Sequence, residues 1–209
     1  MIIHKMQQGT PEWHAVKCGK VSASNISAVL AKGRGNAESK TRKTYLMRLL
    51  AERISGLPQD TYMNGAMQWG IDTEPQARAA YEFETLNAVE QVGFVEINEF
   101  LGCSPDGLID ADGGVEIKCP NTTTHLQYLL DNTMPAEYVC QVQSTLWMTD
   151  RQWWDFVSFD PRIKPDGGKN LCLWSIRVER DEKKIGEIKD GVNKFIDDML
   201  ELEQKLKGE

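Results

Sequence analysis

The segment from Cys103 to Pro120, CSPDGLIDADGGVEIKCP, places the strongest constraint on how this chain can fold. Its two ends have strand composition, and DADGG between them is a turn signal, so the segment predicts a β-hairpin. Residues two apart in a strand face the same side, so Glu116 and Lys118 share one face of the hairpin. Closing the turn through DADGG brings Asp106 alongside Glu116. The fold must therefore accommodate three charged side chains close together in an otherwise apolar sheet.

Helices and further strands alternate along the rest of the chain. Apolar spacing and capping residues predict helices in VSASNISAVLAKG, ESKTRKTYLMRLLAERISG, TEPQARAAYEFET, AEYVCQVQSTLWMT and from about Asp181 to Lys207. Strand composition marks VEQVGFVEIN, FLGCSPDGLID and GVEIKCP, which we expect to form a meander, and then QWWDFVSFD and NLCLWSIRVER. The predicted fold class is α/β (α+β), with a mixed central β-sheet flanked by helices, in a single domain of residues 1–209.

Three local details of these helices are specific enough to check. The first helix has Ser22 or Ser24 as its cap and Gly33 as its stop. Pro75 fits the first turn of its helix, which would place Glu74 near a helix N-terminus. The apolar stripe of the last helix is predicted to consist of Ile185, Ile188, Val192, Phe195, Met199 and Leu202.

Composition limits the class of protein. With 209 residues, 41% of them hydrophobic, the chain can bury one good core. It has no apolar run long enough for a membrane span and no signal-peptide pattern at the N-terminus, so we expect a cytoplasmic protein without membrane association. The five cysteines include no CxxC pair and are expected to be core thiols.

The charge is distributed unevenly along the sequence. The formal net charge is -7, yet the segment Met1 to Arg53 carries ten lysines and arginines against three glutamates. Such asymmetry is compatible with an electropositive face that binds a polyanion, and equally with ordinary solvated helix surfaces.

The charged groups of the hairpin are of the types found in metal-dependent hydrolytic sites. Two neighbouring carboxylates in an apolar setting repel each other, and a divalent cation would compensate them. Mg²⁺ prefers oxygen ligands, so Asp106, Glu116 and the main-chain carbonyl of Ile117 would suit it, with water and phosphate oxygens completing the shell. Lys118 could then position an attacking water for phosphodiester hydrolysis. An exposed strand with Glu116 and Lys118 on its wet face remains an open alternative.

Several motifs together resemble a known family. In order and spacing, PEWHAVKCGKVSASNISAVLA, AMQWGIDTEPQARAAYEF, CSPDGL, VEIKCP and YVCQVQSTLWMTD resemble the lambda exonuclease or YqaJ-like viral recombinase family of the PD-(D/E)xK nucleases, and FDPR and VERDEK extend the match. The resemblance covers nearly the whole chain and implies a restriction-endonuclease-like core.

The resemblance implies an activity and its partners. It implies an enzyme that depends on Mg²⁺, with two ions expected and Mn²⁺ as a substitute. This enzyme would degrade one strand of linear duplex DNA from the 5′ end to mononucleotides and leave a 3′ overhang. It further implies a homotrimeric ring around DNA, a single-strand annealing protein as partner, and a phage or prophage origin in a bacterial host. A restriction-type or structure-specific endonuclease and a non-catalytic DNA-end binding protein are the alternatives.

The resemblance also implies roles for individual residues. Asp106 and Glu116 match the metal-binding carboxylates, Lys118 the catalytic lysine, Glu74 an additional acid and Gln141 the glutamine that closes the site. The residues alone instead favour Glu74 as an acid stabilised by a helix dipole and Gln141 as a partly exposed helix residue.

A further group of residues is implied to recognise the DNA end. Lys17, Ser24 and Ser104 match a pocket for the terminal 5′-phosphate, and Met67 matches the apolar wedge that parts the strands. Without the resemblance, Lys17 reads as a solvated charge, Ser24 as a helix cap and Ser104 as a turn residue. Two positions depart from the family pattern. Lys17 replaces an arginine and lacks its planar fork, and Met67 is a softer wedge than usual.

Overall fold

The computed structural model describes residues 1–33, 35, 37–59, 64–164 and 170–208. The strands in these ranges are β1 (Ile2–His4), β2 (Val21–Ser22), β3 (Phe94–Asn98), β4 (Leu101–Cys103), β5 (Gly107–Ile109), β6 (Gly113–Lys118), β7 (Trp153–Phe159) and β8 (Leu173–Glu179). The α-helices are α1 (Pro11–Lys17), α2 (Ile26–Val29), α3 (Lys40–Ser55), α4 (Gly65–Thr85), α5 (Thr122–Asp131), α6 (Ala136–Thr149) and α7 (Glu182–Lys207), and Ala23–Asn25 form a 3₁₀ turn.

The strands form two mixed four-stranded sheets instead of the single sheet expected. The first sheet has the order β1-β3-β4-β2, and the second has the order β5-β6-β7-β8. Each sheet contains one parallel pair, β2 with β4 and β6 with β7, among antiparallel neighbours. The parallel pair β6 and β7 is connected through α5 and α6, as a crossover requires. The predicted class, a mixed α/β fold flanked by helices, is confirmed.

The expected meander is interrupted after β4. β3 pairs with β4 and β5 pairs with β6, but β4 and β5 belong to different sheets. The break falls at Ser104, Pro105 and Asp106, where proline has no N–H to donate to a ladder. The hairpin itself is confirmed, because Gly107 pairs with Val115 and Ile109 with Gly113.

Helix α4 corrects the prediction for Glu74 and Pro75. The helix begins at Gly65, where the side chain of Asn64 accepts a hydrogen bond from the Met67 N–H at 2.9 Å. Pro75 therefore lies in the helix interior, and Glu74 lies in mid-helix instead of near an N-terminus. The asparagine cap was a stronger start signal than the proline.

The first predicted helix is shorter than expected. Val21–Ser22 form strand β2, a 3₁₀ turn follows, and α2 covers only Ile26–Val29. Within the described residues, neither Ser22 nor Asn25 makes a side-chain capping hydrogen bond. Gly33 is not the stop, because the helix already ends at Leu30.

Helices α3 and α7 follow the predicted pattern closely. Ser39 caps α3 and Gly56 ends it in the left-handed conformation with a φ of 68°. Five residues of the predicted α7 stripe are buried, namely Ile185, Ile188, Val192, Phe195 and Met199. Leu202 was wrongly included, since it is 36% exposed. Glu203 is buried instead, where Arg53 Nε donates to its Oε2 at 2.7 Å.

Both faces of the second sheet are covered. Ala77 and Tyr81 of α4 pack with Val115 and Ile117 in one apolar cluster. Trp154 belongs to the larger cluster shared with helices α2, α3, α6 and α7. Because β6 is covered on both faces and paired on both edges, the residues that it carries have little room to shift.

We expect Gly114→Ala to destabilise the protein by about 1–3 kcal/mol, as overpacked core positions do. A Cβ at Gly114 would come within 2.2 Å of the buried Trp154 ring. Gly186→Ala is the control, because a Cβ there meets nothing within 4 Å. In mid-helix it should stabilise by up to about 1 kcal/mol. Denaturant unfolding measures the free energy of unfolding of both variants. Equal values for Gly114→Ala and Gly186→Ala would contradict the packing of Trp154 on Gly114.

Candidate active site

The β5–β6 hairpin brings Asp106 and Glu116 together. Gly107 pairs with Val115, so the next residues outward in this antiparallel pair are Asp106 and Glu116. The Ile117 N–H donates a hydrogen bond to Asp106 Oδ2 at 2.6 Å. This bond fixes the Asp106 carboxylate against the strand that carries Glu116.

Two donors converge on one oxygen of Glu116. Lys118, on the same face of β6, donates from Nζ to Glu116 Oε1 at 2.5 Å. Gln141 of α6 donates from Nε2 to the same oxygen, also at 2.5 Å. The Lys118 ammonium also lies 5.1 Å from the ring centroid of Tyr138, another α6 residue. Helix α6 therefore closes this side of the site, and Glu116 is buried with 3% of its surface exposed.

Glu74 reaches the same site from α4. Its carboxylate pairs with Arg78 one helical turn later. Burial raises the pKa of Glu74, the Arg78 charge opposes that shift, and the nearby Glu116 carboxylate adds to it. Glu74 is thus electrostatically linked to the hairpin carboxylates.

The carboxylates in this site lack sufficient positive charge around them. Part of the Asp106 surface is accessible, but the dense protein around its carboxyl group raises its pKa well above the usual range, and Glu116 and Glu74 raise it further. Burial opposes the charge of Lys118, yet the carboxylates of Glu116 and Asp106 raise its pKa overall. Two cations, Lys118 and the Arg78 that pairs with Glu74, therefore serve a group of three acids, and a further cation would stabilise them.

The donor set fits a hard divalent cation. Among the described residues no three His, Cys, Asp or Glu side chains are grouped closely enough to hold a metal ion by themselves. Asp106, Glu116 and the Ile117 carbonyl nevertheless offer the oxygen ligands of an open Mg²⁺ site, in which water and substrate oxygens fill the remaining positions. Their uncompensated charge supports this fit.

Lys17 and Ser104, two of the remaining predicted residues, lie together in a second region. Lys17 Nζ lies 4.3 Å above the Trp13 ring, and Trp13 Nε1 donates to Ser104 Oγ at 3.0 Å. Lys17 and Ser104 therefore contact the same indole. Ser24 is exposed and lies 3.1 Å from Ser22, measured between their Oγ atoms.

A pocket beside Lys17 involves residues that the sequence did not single out. Its lining consists of His14, Lys17, Cys18, Lys20, Ser22, Arg48, Leu49, Glu52, Pro58 and Gln59. Neither Ser24 nor Ser104 lines it. Met67 lies apart, in the first turn of α4, with 47% of its surface exposed.

Sequence reasoning missed three residues that lie beside the predicted ones. Arg78 could have been found by its i,i+4 spacing from Glu74. Tyr138 and Arg48 approach Lys118 and Lys17 only through the tertiary fold, so local sequence gives no signal for them.

The fold and hairpin define a class of protein. A mixed sheet flanked by helices, with Asp106 immediately before one strand and Glu116 and Lys118 two residues apart on the next, is the PD-(D/E)xK architecture. Residues 12–152 match the YqaJ-like viral recombinase domain, and the chain belongs to this family. The resemblance inferred from the motifs is thereby confirmed.

Several known proteins are similar to this chain. The crystal structure of an alkaline exonuclease, LHK-Exo from Laribacter hongkongensis, is 38% identical, covers 95% of this chain and 96% of that chain, and has a TM-score of 0.84. The same values hold for LHK-Exo in complex with dAMP. A phage related exonuclease from Haemophilus somnus 129PT, at 19% identity and a TM-score of 0.64 over 90% of this chain and 98% of that one, shares the fold. The uncharacterized ExoD of Escherichia coli (strain K12) is 36% identical over 66 residues, which is 32% of this chain and 70% of that protein.

None of the helices in the described ranges is both long enough and apolar enough to cross a membrane.

We expect Asp106→Asn to raise the stability of the metal-free protein, because it removes a poorly compensated charge and keeps an oxygen for the Ile117 N–H. The same change should remove most of the stabilisation by Mg²⁺, which for the unsubstituted protein is about 2.7 kcal/mol at a concentration of 100 times Kd. Thermal unfolding with chelator and with Mg²⁺ measures both effects. Asp190→Asn, an exposed change on α7, is the control with the same charge difference. Equal Mg²⁺ responses in all three proteins would contradict a cation site at Asp106.

Proposed function

We propose that this chain is a Mg²⁺-dependent exonuclease that degrades one strand of linear double-stranded DNA in the 5′ to 3′ direction. It releases 5′-mononucleotides and leaves a 3′ single-stranded overhang for recombination by strand annealing. The observation that carries the proposal is the convergence of Glu74, Asp106, Glu116, Lys118 and Gln141 on one site. The similarity to LHK-Exo over nearly the full length of both chains supports it, as does the capacity of that protein to bind dAMP.

Asp106, Glu116 and the Ile117 carbonyl would hold the Mg²⁺, with two ions per site and Mn²⁺ as a substitute. When bound, the metal supplies Lewis acidity and lowers the pKa of bound water. The chain's own residues position the reaction. The Lys118 ammonium orients the attacking water and stabilises negative charge on the phosphate. Gln141 holds the Glu116 carboxylate in one orientation through its 2.5 Å hydrogen bond.

The reaction is hydrolysis of a phosphodiester. The water oxygen forms a bond to phosphorus, the bond from phosphorus to the 3′ oxygen breaks, and that oxygen takes up a proton. The terminal nucleotide leaves with its 5′-phosphate, and the shortened strand carries a new 5′-phosphate. Each cut therefore regenerates the type of end that the next cut requires.

We further propose that the region around Trp13 receives this end. Lys17, Ser24 and Ser104 would surround the 5′-phosphate with a cation and hydroxyl donors. Met67, exposed in the first turn of α4, would act as the wedge that separates the strands. The contacts of Lys17 and Ser104 with one indole support a shared site for these two residues.

The proposed setting is that of the family. We propose that the protein is encoded by a phage or prophage, acts in the bacterial cytoplasm, and passes its overhang to a single-strand annealing protein. A homotrimeric ring would gather the basic N-terminal segments around DNA and reconcile DNA binding with a net charge of -7.

End-labelled duplexes test the activity and polarity. With Mg²⁺, a 5′-labelled linear duplex should lose its label early as mononucleotide, whereas a 3′-labelled strand should shorten and keep it. Asp106→Ala and Glu116→Ala should abolish cleavage and leave duplex binding, and Lys118→Ala should slow cleavage by at least about 10²-fold. Lys183→Ala, an exposed position on α7, is the lysine control.

The same assay separates the alternatives. Covalently closed circular duplex should stay intact, and its cleavage would indicate an endonuclease. Binding of ends without any Mg²⁺-dependent hydrolysis would indicate a DNA-end binding protein. Early loss of the 3′ label would contradict the proposed polarity, and substantial hydrolysis by Asp106→Ala would contradict the site.

Light scattering tests assembly. A trimer should have about three times the chain mass of 23.6 kDa. Because a ring need not release its substrate between cuts, dilution into competitor DNA should barely slow strands that are already engaged. A monomeric mass, or immediate arrest on dilution, would contradict the ring.

A further inference from the structure

Arg48 lines the Lys17 pocket and lies outside every motif that the sequence analysis identified. It lies on α3, one turn before Glu52, and lines the pocket between α1 and α3 together with Lys17 and Ser22. Its guanidinium carbon lies 4.9 Å from the ring centroid of Tyr45, which is buried. The aromatic ring therefore supports one face of the guanidinium and restricts its motion.

Arg48 keeps donors that the protein does not use. Its Nε is buried and has no hydrogen-bond partner among the described residues. The nearest carboxylate oxygen, Glu52 Oε1, is 3.9 Å from Nε, which is too long for a hydrogen bond. An unpaired buried N–H costs roughly 1–3 kcal/mol, so a ligand that accepts from it would be favoured.

The other charged groups of the pocket are already engaged. Glu52 Oε2 accepts from the Gly19 N–H at 2.8 Å, and its Oε1 accepts from the Gln59 N–H at 3.4 Å. Lys20 Nζ donates to the Val16 carbonyl at 2.9 Å and lies 3.4 Å from Glu96. Among the described residues that line the pocket, these contacts leave Lys17 and Arg48 as the lysine and arginine available to a ligand.

The charge of Arg48 also disfavours the charged form of Lys17. Burial lowers the pKa of Lys17 to about 8, and the neighbouring Arg48 charge contributes to that shift in spite of Glu52. An anion between the two groups would relieve both the repulsion and the unpaired Nε. The pocket is therefore arranged for a negatively charged ligand.

We propose that Arg48 binds the terminal 5′-phosphate of the DNA strand, with its guanidinium fork replacing the one lost where lysine stands at position 17. This inference rests on the proposed function and adds a specificity-determining residue to it. A terminal phosphate has up to three free oxygens and two negative charges, which suits a rigid fork and an ammonium acting together. Ser22, buried at 2% exposure, adds a pocket-lining hydroxyl, and its Oγ lies 3.1 Å from the Oγ of Ser24.

Binding measured without metal tests the proposal. The probes are two linear duplexes of one sequence, one with 5′-phosphate and one with 5′-hydroxyl ends, titrated with the protein in chelator and followed by fluorescence anisotropy. The unsubstituted protein should prefer the phosphorylated duplex. Arg48→Gln should reduce that preference by about tenfold, as expected for loss of a charge-assisted hydrogen bond.

Three further variants sharpen the measurement. Arg48→Lys keeps the charge but not the fork, and should retain an intermediate preference. Adding Lys17→Arg to Arg48→Gln should restore much of the preference for the phosphorylated duplex, because the arginine at position 17 then supplies a guanidinium from α1. Lys183→Gln, exposed and on α7, removes one charge outside the pocket and should leave the preference unchanged. Thermal unfolding of each variant confirms that it is folded.

The outcomes separate this inference from the function on which it rests. An Arg48→Gln variant that binds both duplexes more weakly by the same factor would place Arg48 on an internal phosphate and overturn the proposal. An unchanged preference in Arg48→Gln, with a loss in Lys17→Ala, would leave Lys17 as the anchor without Arg48. No preference in the unsubstituted protein would remove the phosphate pocket altogether. These outcomes concern only duplex binding in chelator, which does not require cleavage. They would therefore stay interpretable even if the proposed nuclease activity proved wrong.

Discussion

The register of the β5–β6 hairpin is the constraint on which the candidate site depends. Pairing of Gly107 with Val115 places Asp106 opposite Glu116, and the hydrogen bond from Ile117 to Asp106 fixes the carboxylate there. A slip of one residue would turn Glu116 and Lys118 to the face of β6 that packs against α4, and would move Val115 and Ile117 out of that apolar cluster. The packing that stabilises the sheet therefore also selects the arrangement of charged groups.

The two polar regions of the protein have opposite charge imbalances. Around Asp106, acids outnumber the cations that could neutralise them, and its pKa is raised. Around Lys17, cations lie close together and its pKa is lowered. Ser104 contacts Trp13 in the cationic region, and Asp106 follows two residues later in the acidic one. This short segment connects a site suited to an anion with a site suited to a cation, which is the arrangement that the proposed exonuclease would need.

Local signals predicted part of this structure and tertiary contacts supplied the rest. The hairpin, α3, α6 and α7 followed from turn residues, caps and apolar spacing, which act within a few residues. The sequence correctly predicted that Glu74 lies in a helix. The helix start was wrong, because Pro75 was taken as the first turn and the Asn64 cap was not recognised. The division into two sheets depends on long-range pairing, and Arg48 joins Lys17 in one pocket only through the tertiary fold. The sequence therefore identified the acids and Lys118 of the hairpin site, but not Arg48 in the pocket of Lys17.

The parallel pairing of β6 with β7 has a consequence for synthesis on the ribosome. Lys118 ends β6, but its partner strand begins at Trp153, and Gln141 lies in the helix between them. A nascent chain that has emerged only to Lys118 contains every acid of the site without the strand and helix that hold them in place. Contacts of such sequence separation form late, because a long loop must close first. A truncated translation product would therefore carry the acids and Lys118 without the contacts that assemble them into a site.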